Sequence, residues 1–278
     1  MRPRPCDGRG QAPRLGRLRG GRQGPPRRRR LSRSGGVSAV PALSVSDLRA
    51  GYGRGDDIVR GITLDQAPET ILAVIGPNGS GKSSFVKTLA GLLDIRQGRV
   101  LVTGMDVTAE TPAKRVAAGM AYVPQEANVF PSLTIGENLK LATEFLRGRA
   151  GVGPEQHEKV LALFPELGAR LKTRAGDLSG GQRQMLAFAS ALLANPEVLL
   201  LDEPSAGLSP KIVAQTMEAI VRVRAAGVTV LLVEQNVAAA LEIADEAVVL
   251  VAGQVSLRDT AAAVRSADLG DLFFAKVA

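Results

Sequence analysis

The chain has no tryptophan, one cysteine and one histidine, and only 3% of its 278 residues are aromatic. Each scarcity removes a class of chemistry. A lone cysteine, Cys6, allows no intramolecular disulfide, which fits a reducing compartment. The lone histidine, His157, lies in the polar helix start Pro154-Glu155-Gln156-His157-Glu158-Lys159, with no second imidazole in the chain. Zinc therefore lacks a ligand set, and His157 is expected on a solvated surface. No apolar run approaches the roughly 20 residues that span a bilayer. The N-terminal segment lacks the apolar core of a secretory signal. Membrane association is expected only through a partner.

Charge is plentiful but unevenly spread. The formal net charge is +8. Residues 1–36 carry 12 Arg and one Asp, and the remaining residues hold 23 basic against 26 acidic side chains, a net of −3. The high overall pI describes the extension and not the body, so it does not argue for nucleic-acid binding. Residues 1–38 are rich in Arg, Gly and Pro and nearly free of large apolar groups, so disorder is expected there. Three readings stay open for this stretch: an extension without function ahead of a start near Val37 or Val40, an electrostatic tail using Arg27–Arg30, or a targeting segment. Residues 39–278 are expected to form one folded domain.

The most informative stretch is Gly76-Pro77-Asn78-Gly79-Ser80-Gly81-Lys82-Ser83, which fits G-x-x-x-x-G-K-[ST]. The apolar run Ile71–Ile75 precedes it and a helix is predicted from Ser83 to Leu92. This is the strand–loop–helix context that lets backbone N–H groups and a helix dipole surround phosphate. Lys82 would reach the β- and γ-phosphates and the Ser83 hydroxyl would ligate Mg²⁺.

Further strands are predicted around Leu43–Leu48, Ile58–Leu64, Gly98–Thr103 and Met120–Val123. Thr134 and Glu137 have capping-box spacing for a helix from Ile135. Residues 135 to about 177 read as mainly helical, with breaks at Gly148–Pro154 and at Phe164-Pro165. A helix is predicted after Asp177-Leu178-Ser179-Gly180-Gly181-Gln182, running to Ala194. The runs Val198–Leu201 and Val228–Val233 read as buried parallel strands flanking a helix over Pro210–Arg224. The remainder reads as a helix over Val237–Ala244, a strand over Ala247–Val251, a turn at Ala252-Gly253 and a last short helix. The β-α alternation argues for an α/β fold, a parallel-rich sheet with helices on both faces.

Three features admit two readings each. Tyr52, between two glycines ahead of the phosphate loop, is either a surface-turn residue or an adenine-stacking ring. Ser179-Gly180-Gly181 is either a helix cap or a second anion site. Asp202-Glu203, at the carboxyl end of a buried strand, is an acidic turn or a Mg²⁺ site, and the phosphate loop in the same chain favours Mg²⁺.

Taken together these segments resemble the ATP-binding-cassette ATPases over nearly all of residues 43–270. Gly76–Ser83 matches the Walker A loop of this P-loop NTPase family, Gln125 the Q-loop, Leu178–Gln182 the L-S-G-G-Q signature, and Leu199–Glu203 Walker B with the catalytic glutamate. Arg174–Gln182, Glu203–Pro210, Val233–Asn236 and Val264–Gly270 look like the ATPases of branched-chain amino-acid importers, with urea and amide importers similar. The resemblance implies a core with an antiparallel β subdomain and an α-helical signature subdomain over about 127–195. It also implies a head-to-tail dimer, with itself or a sister ATPase, enclosing two ATP molecules. One subunit would supply Tyr52, Gly76, Asn78, Gly79, Ser80, Gly81, Lys82, Ser83, Ser84, Gln125, Asp202, Glu203 and Gln235. The facing subunit would supply Ser179, Gly180, Gly181 and Gln182.

In those roles Ser83, Gln125 and Asp202 hold Mg²⁺, Glu203 polarises the attacking water, and Gln235 stands where the family's switch histidine usually is. Membrane permease subunits would dock near Gln125 at the cytoplasmic face, served indirectly by a solute-binding protein. Nucleic acid is not an expected partner. The alternatives are a soluble, non-transport ATPase of the same class or an inactive regulatory cassette; intact Lys82, Asp202 and Glu203 oppose the second.

Gln235 can donate an amide hydrogen bond but cannot titrate near neutrality as histidine does. The rate of ATP hydrolysis measured against pH is therefore expected to show no histidine limb at about 6–7. A limb there in the unmodified protein would contradict this role for residue 235.

Overall fold

The computed structural model describes residues 40–53, 55–126, 128–146, 153–268 and 270. The chain divides into Met1–Ser38 and Ala39–Ala278, and all described residues belong to the second unit. The Arg-rich extension, residues 148–152 of the expected helix break and Leu269 of the late motif lie outside the described residues.

Strands β1 (Leu43–Ala50) and β2 (Val59–Gln66) precede β3 (Ile71–Ile75), which leads through the glycine-rich loop into α1 (Lys82–Leu89). Then come β4 (Ile95–Val102), β5 (Met105–Asp106), α2 (Pro112–Ala117) and β6 (Met120–Val123). The middle is helical: α3 (Ile135–Phe145), α4 (Pro154–Leu163), the short α5 (Pro165–Gly168) and α6 (Gly180–Leu192). The last third alternates β7 (Val198–Asp202), α7 (Pro210–Ala225), β8 (Thr229–Val233), α8 (Val237–Ile243) and β9 (Glu246–Val251), then ends with β10 (Gln254–Thr260) and α9 (Ala261–Ser266).

Two sheets result. An antiparallel sheet runs β2-β1-β4-β5, and a six-stranded sheet runs β10-β9-β3-β8-β7-β6. In the larger sheet every pairing is parallel except β9 with β10. Every residue of β3, β7 and β8 is buried. Side chains alternate between faces of a strand, so an unbroken apolar run means both faces are covered. One set (Leu72, Val74, Leu200, Leu231, Val233) packs with Leu48 and Ile62 of the antiparallel sheet and Phe85 of α1. The other set (Ile71, Ala73, Leu199, Leu201, Leu232) packs with Phe164, Phe188 and Ile220 on the helical side.

The capping box at α3 is present: Glu137 N–H donates to Thr134 Oγ1 at 3.2 Å, and Thr134 N–H donates to Glu137 Oε2 at 2.7 Å. The Thr134 N–H and hydroxyl, both donating to Glu137 Oε2, hold the exposed Glu137 carboxyl below its ordinary pKa.

Several expected boundaries need correction. The helix expected over Ser83–Leu92 stops at Leu89, and Gly91 is left-handed at φ 77°. The helix expected to Ala194 ends at Leu192. Residues 169–174 are not helical, because Leu171 and Thr173 turn their carbonyls to the N–H groups of Gly136 and Ile135 at 2.9 Å each. Those donors sit in the first turn of α3, where no intrahelical acceptor exists. Strand β10 went unread, since a mostly exposed edge strand pairing on one side leaves a weak apolar pattern.

One buried cation braces the helix that follows the glycine-rich loop. Arg115 of α2 is buried, and its guanidinium donates to the carbonyls of Thr88 (2.8 Å) and Leu89 (2.7 Å) at the C-terminal end of α1. It also donates to Thr108 O (2.9 Å) and Glu110 O (3.0 Å). A cation among terminal helix carbonyls satisfies orphan acceptors and complements the helix dipole. Arg115→Met would remove all four of these charge-assisted bonds, and a loss of about 3 kcal/mol is expected. Urea unfolding measures it, and a change below about 0.5 kcal/mol would show that the network is replaced by water.

Candidate active site

Three parallel strands deliver the site. The loop after β3, the turn after β7 and the turn after β8 meet at the carboxyl ends of the strands, where open α/β sheets place ligands. A cleft of about 460 Å³ lies there, lined by Ile58, Asn78, Gly79, Gly81, Lys82, Ser83, Ser84, Glu203 and Gln235.

The glycines are dictated by backbone geometry. Gly76 has φ 153°, and a Cβ there would collide with the carbonyl oxygen of Leu250 in β9. Gly81 caps α1 in the left-handed region (φ 96°), and its Cβ would press on Ile58 O at 3.1 Å. The loop can therefore lie close on its neighbours and leave its N–H groups toward the cleft only with glycine at these positions.

Lys82 is buried at the start of α1, and its ammonium donates to the carbonyls of Gly76 (3.0 Å) and Pro77 (3.1 Å). Burial pushes its pKa down, and the carboxylates of Glu203, Asp202 and Glu234 oppose that shift. Next to it, Ser83 Oγ donates to Asp202 Oδ1 at 3.0 Å. A hydroxyl and a carboxylate side by side are the hard oxygen donors that Mg²⁺ prefers, in the small number it takes from protein. Among the described residues no group of three or more His, Cys, Asp or Glu side chains is placed to hold a metal ion. The Ser83–Asp202 pair fits a Mg²⁺ ion that takes its remaining ligands from phosphate and water.

Glu203 follows directly. It is a non-glycine residue in the left-handed region (φ 47°), held there by its N–H donating to Val233 O at 2.9 Å. Such a conformation persists only where its surroundings impose it. Gln125 Nε2 lies 3.4 Å from Glu203 Oε2, so the Gln125 side chain contacts the glutamate and not the Ser83–Asp202 pair. Gln235 Nε2 donates to Asn78 Oδ1 at 2.9 Å, tying the turn after β8 to the glycine-rich loop.

Other expected residues lie apart from this cleft. Tyr52 is 54% exposed and is not among the cleft residues. Ser80 is buried in the loop. Ser179–Gln182 open α6, where Ser179 Oγ accepts from Gln182 N–H at 3.3 Å and Gln182 Oε1 accepts from Ser179 N–H at 3.1 Å. That is a capping box, and none of the four residues lines the cleft. A Cβ on Gly181 would strike Ile212 Cγ2 at 2.5 Å, so this glycine is required by α6–α7 packing.

Sequence reasoning missed two residues. Tyr122 OH donates to Asp202 Oδ2 at 3.2 Å, occupying the carboxylate oxygen that Ser83 leaves. Burial and the Asp202 charge raise its pKa well above the ordinary phenol range, so it remains a donor. A phenol in an otherwise apolar buried strand was the available signal. Glu234 is 1% exposed and accepts from three backbone N–H groups. It read only as the end of a strand.

The profile of the ABC transporter family matches residues 59–206. The chain is 45% identical over 220 residues to the probable branched-chain amino acid transport ATP-binding protein LivF of Archaeoglobus fulgidus, covering 79% of this chain and 92% of that protein. It is 39% identical over 234 residues to the high-affinity branched-chain amino acid transport ATP-binding protein BraG of Pseudomonas aeruginosa, covering 82% and 99%. Its fold matches the crystal structure of the ADP conformation of MJ1267, an ATP-binding cassette of an ABC transporter. That match has a TM-score of 0.74 and 24% identity and covers 85% of this chain and 99% of that one. The two-sheet architecture, the strand–loop–helix phosphate site and these matches agree: the chain belongs to the ABC transporter family and is an ATP-binding cassette ATPase whose hydrolysis of ATP is coupled to transport.

Proposed function

We propose that this ATPase energises the uptake of branched-chain or related amino acids through a membrane permease. The observation that carries the solute class is the 45% identity to LivF over 92% of that protein's length. The permease would come from other chains, with the ATPase on its cytoplasmic face; no helix among the described residues is long and apolar enough to cross a membrane. The folded unit is taken as residues 39–278, with the helical subdomain at about 127–195.

ATP would enter the 460 Å³ cleft with its phosphates over Gly79–Ser84. The Lys82 ammonium would exchange its contacts with the Gly76 and Pro77 carbonyls for β- and γ-phosphate oxygens, a charge-assisted bond replacing neutral ones. Ser83 and Asp202 would hold Mg²⁺, joined by Gln125 once it leaves Glu203. Held by those residues, the ion would supply neutralisation of phosphate charge. The Glu203 carboxylate would orient the attacking water and accept its proton, and the Gln235 amide would donate to the γ-phosphate. Tyr52 would stack on the adenine from its exposed position.

Phosphoryl transfer depends mainly on positioning and charge. The cleft takes its donors from the glycine-rich loop, Lys82 and Gln235, and none from Ser179–Gln182. Ser179–Gln182, exposed or half-buried apart from Gly181, would close a second copy's cleft in a head-to-tail dimer with itself or a sister ATPase. ATP would join the halves and hydrolysis would release them.

Glu203→Gln is expected to keep ATP binding while lowering turnover by about 10²-fold or more. Lys82→Ala is expected to weaken ATP binding itself by about 10-fold or more. Nucleotide titration with steady-state hydrolysis separates the two, and normal turnover in Glu203→Gln would remove that residue from the base position. For the transport role, affinity recovery of the chain from membranes should bring down a permease. Deleting its gene should abolish uptake of radiolabelled leucine, isoleucine or valine; unchanged uptake of all three would reject the solute class.

A further inference from the structure

Glu203 and Gln235 stand on different loops, the first after β7 and the second after β8. Their usefulness at one phosphate depends on the distance between those loops. The Glu203 N–H to Val233 O bond joins the two at the strand ends, and Glu234 is the side chain that ties them together beyond that point. Its carboxylate is 1% exposed; Oε1 accepts from Ser205 N–H at 2.9 Å on the first loop, and Oε2 accepts from Gln235 N–H at 3.0 Å and Asn236 N–H at 3.1 Å on the second. Ser205 lies two residues beyond Glu203, so the bond fixes the turn from which the Glu203 side chain projects. On the second loop, the held backbone of Gln235 sets the direction of its amide, which reaches Asn78 Oδ1 at 2.9 Å.

The donors fit a carboxylate of this length: burial pushes the Glu234 pKa up, and the hydrogen bonds from Ser205, Asn236 and Gln235 oppose that shift. All three are N–H groups outside the strand ladders, the Ser205 bond buried and the other two part-buried, and the side chain supplies acceptors on two oxygens. A glutamine would turn an NH₂ toward one set of donors. An aspartate would keep the charge but is one methylene, about 1.5 Å, too short to reach both loops.

We infer that Glu234 is a positioning residue that sets the spacing between the catalytic glutamate and the γ-phosphate donor by bridging their two loops from beneath. This rests on the roles of Glu203 and Gln235 given above. Glu234 itself would touch neither nucleotide nor water; it acts through the two side chains above it. A misplacement near 1 Å at a reacting centre costs about 10²-fold in rate, so even a small change in loop spacing would register in turnover.

The test is kinetic, in the full-length chain. Glu234→Gln and Glu234→Asp should each lower kcat by about 10- to 100-fold, while the Kd for ATP stays within about 3-fold of the parent. The aspartate separates span from charge: wild-type kcat in Glu234→Asp would overturn the bridging role. Loss of ATP binding in parallel with kcat in both variants would also overturn it, since a carboxylate needed only for folding behaves so. In the Glu203→Gln background, adding Glu234→Gln should lower the residual rate by less than about 3-fold, because residues acting as a unit are not additive. Additive losses would reject the coupling. If Glu203→Gln alone turned over normally, the assignment of Glu203 would fall and this inference with it; a stalled Glu203→Gln beside a normal Glu234→Gln would overturn the inference alone.

Discussion

The parallel pairing of β3, β8 and β7 is the constraint on which the rest of the molecule depends. Val74 pairs with Val233, and Val233 with Asp202, so the three strands end level with one another. Because the ends are level, the glycine-rich loop, the Asp202–Glu203 turn and the Glu234–Gln235 turn reach one cleft. A slip of one residue would turn every side chain of a strand to the other face. Here both faces are packed, against the antiparallel sheet on one side and the helices on the other, so a slip would exchange two sets of fitted side chains at once.

The cleft is assembled around an imbalance of charge. One ammonium, Lys82, faces the carboxylates of Asp202, Glu203 and Glu234, and each of these acts on it through the protein. Every one of the four is held by hydrogen bonds of its own: Lys82 by two carbonyls, Asp202 by Ser83 and Tyr122, Glu203 by Gln125, Glu234 by three N–H groups. Buried charges survive when donors or acceptors replace the water they lose. Side chains fixed in this way need little reorganisation when a charged ligand arrives, which is the condition for electrostatic preorganisation.

Much of the architecture was legible because its signals are local. β3 and β6 were read to their ends, since five and four consecutive apolar residues bounded by turn formers leave little choice. The capping box at Thr134 follows from a four-residue pattern, while at Ser179 a cap was one of two readings and the box with Gln182 went unread. What could not be read was set by distant partners. β10 exists because β9 offers it an edge, and residues 169–174 form turns instead of helix because two of their carbonyls serve N–H groups in the first turn of α3.

The sequence by itself determined the chemistry: a glycine-rich loop with Lys82 and Ser83, two acids closing a buried strand, and a second glycine pair opening a helix. Each depends on residue type and short spacing, and those are properties of a local stretch of chain. Only the tertiary structure decided the partners. It set Tyr122 against Asp202 across 80 positions, Gln235 against Asn78 across 157, and Glu234 beneath Ser205 across 29. It also placed Ser179–Gln182 outside the cleft that they resemble in chemistry. The reason is that parallel strands need long crossovers, so neighbours at their carboxyl ends are remote in sequence and leave no spacing to read.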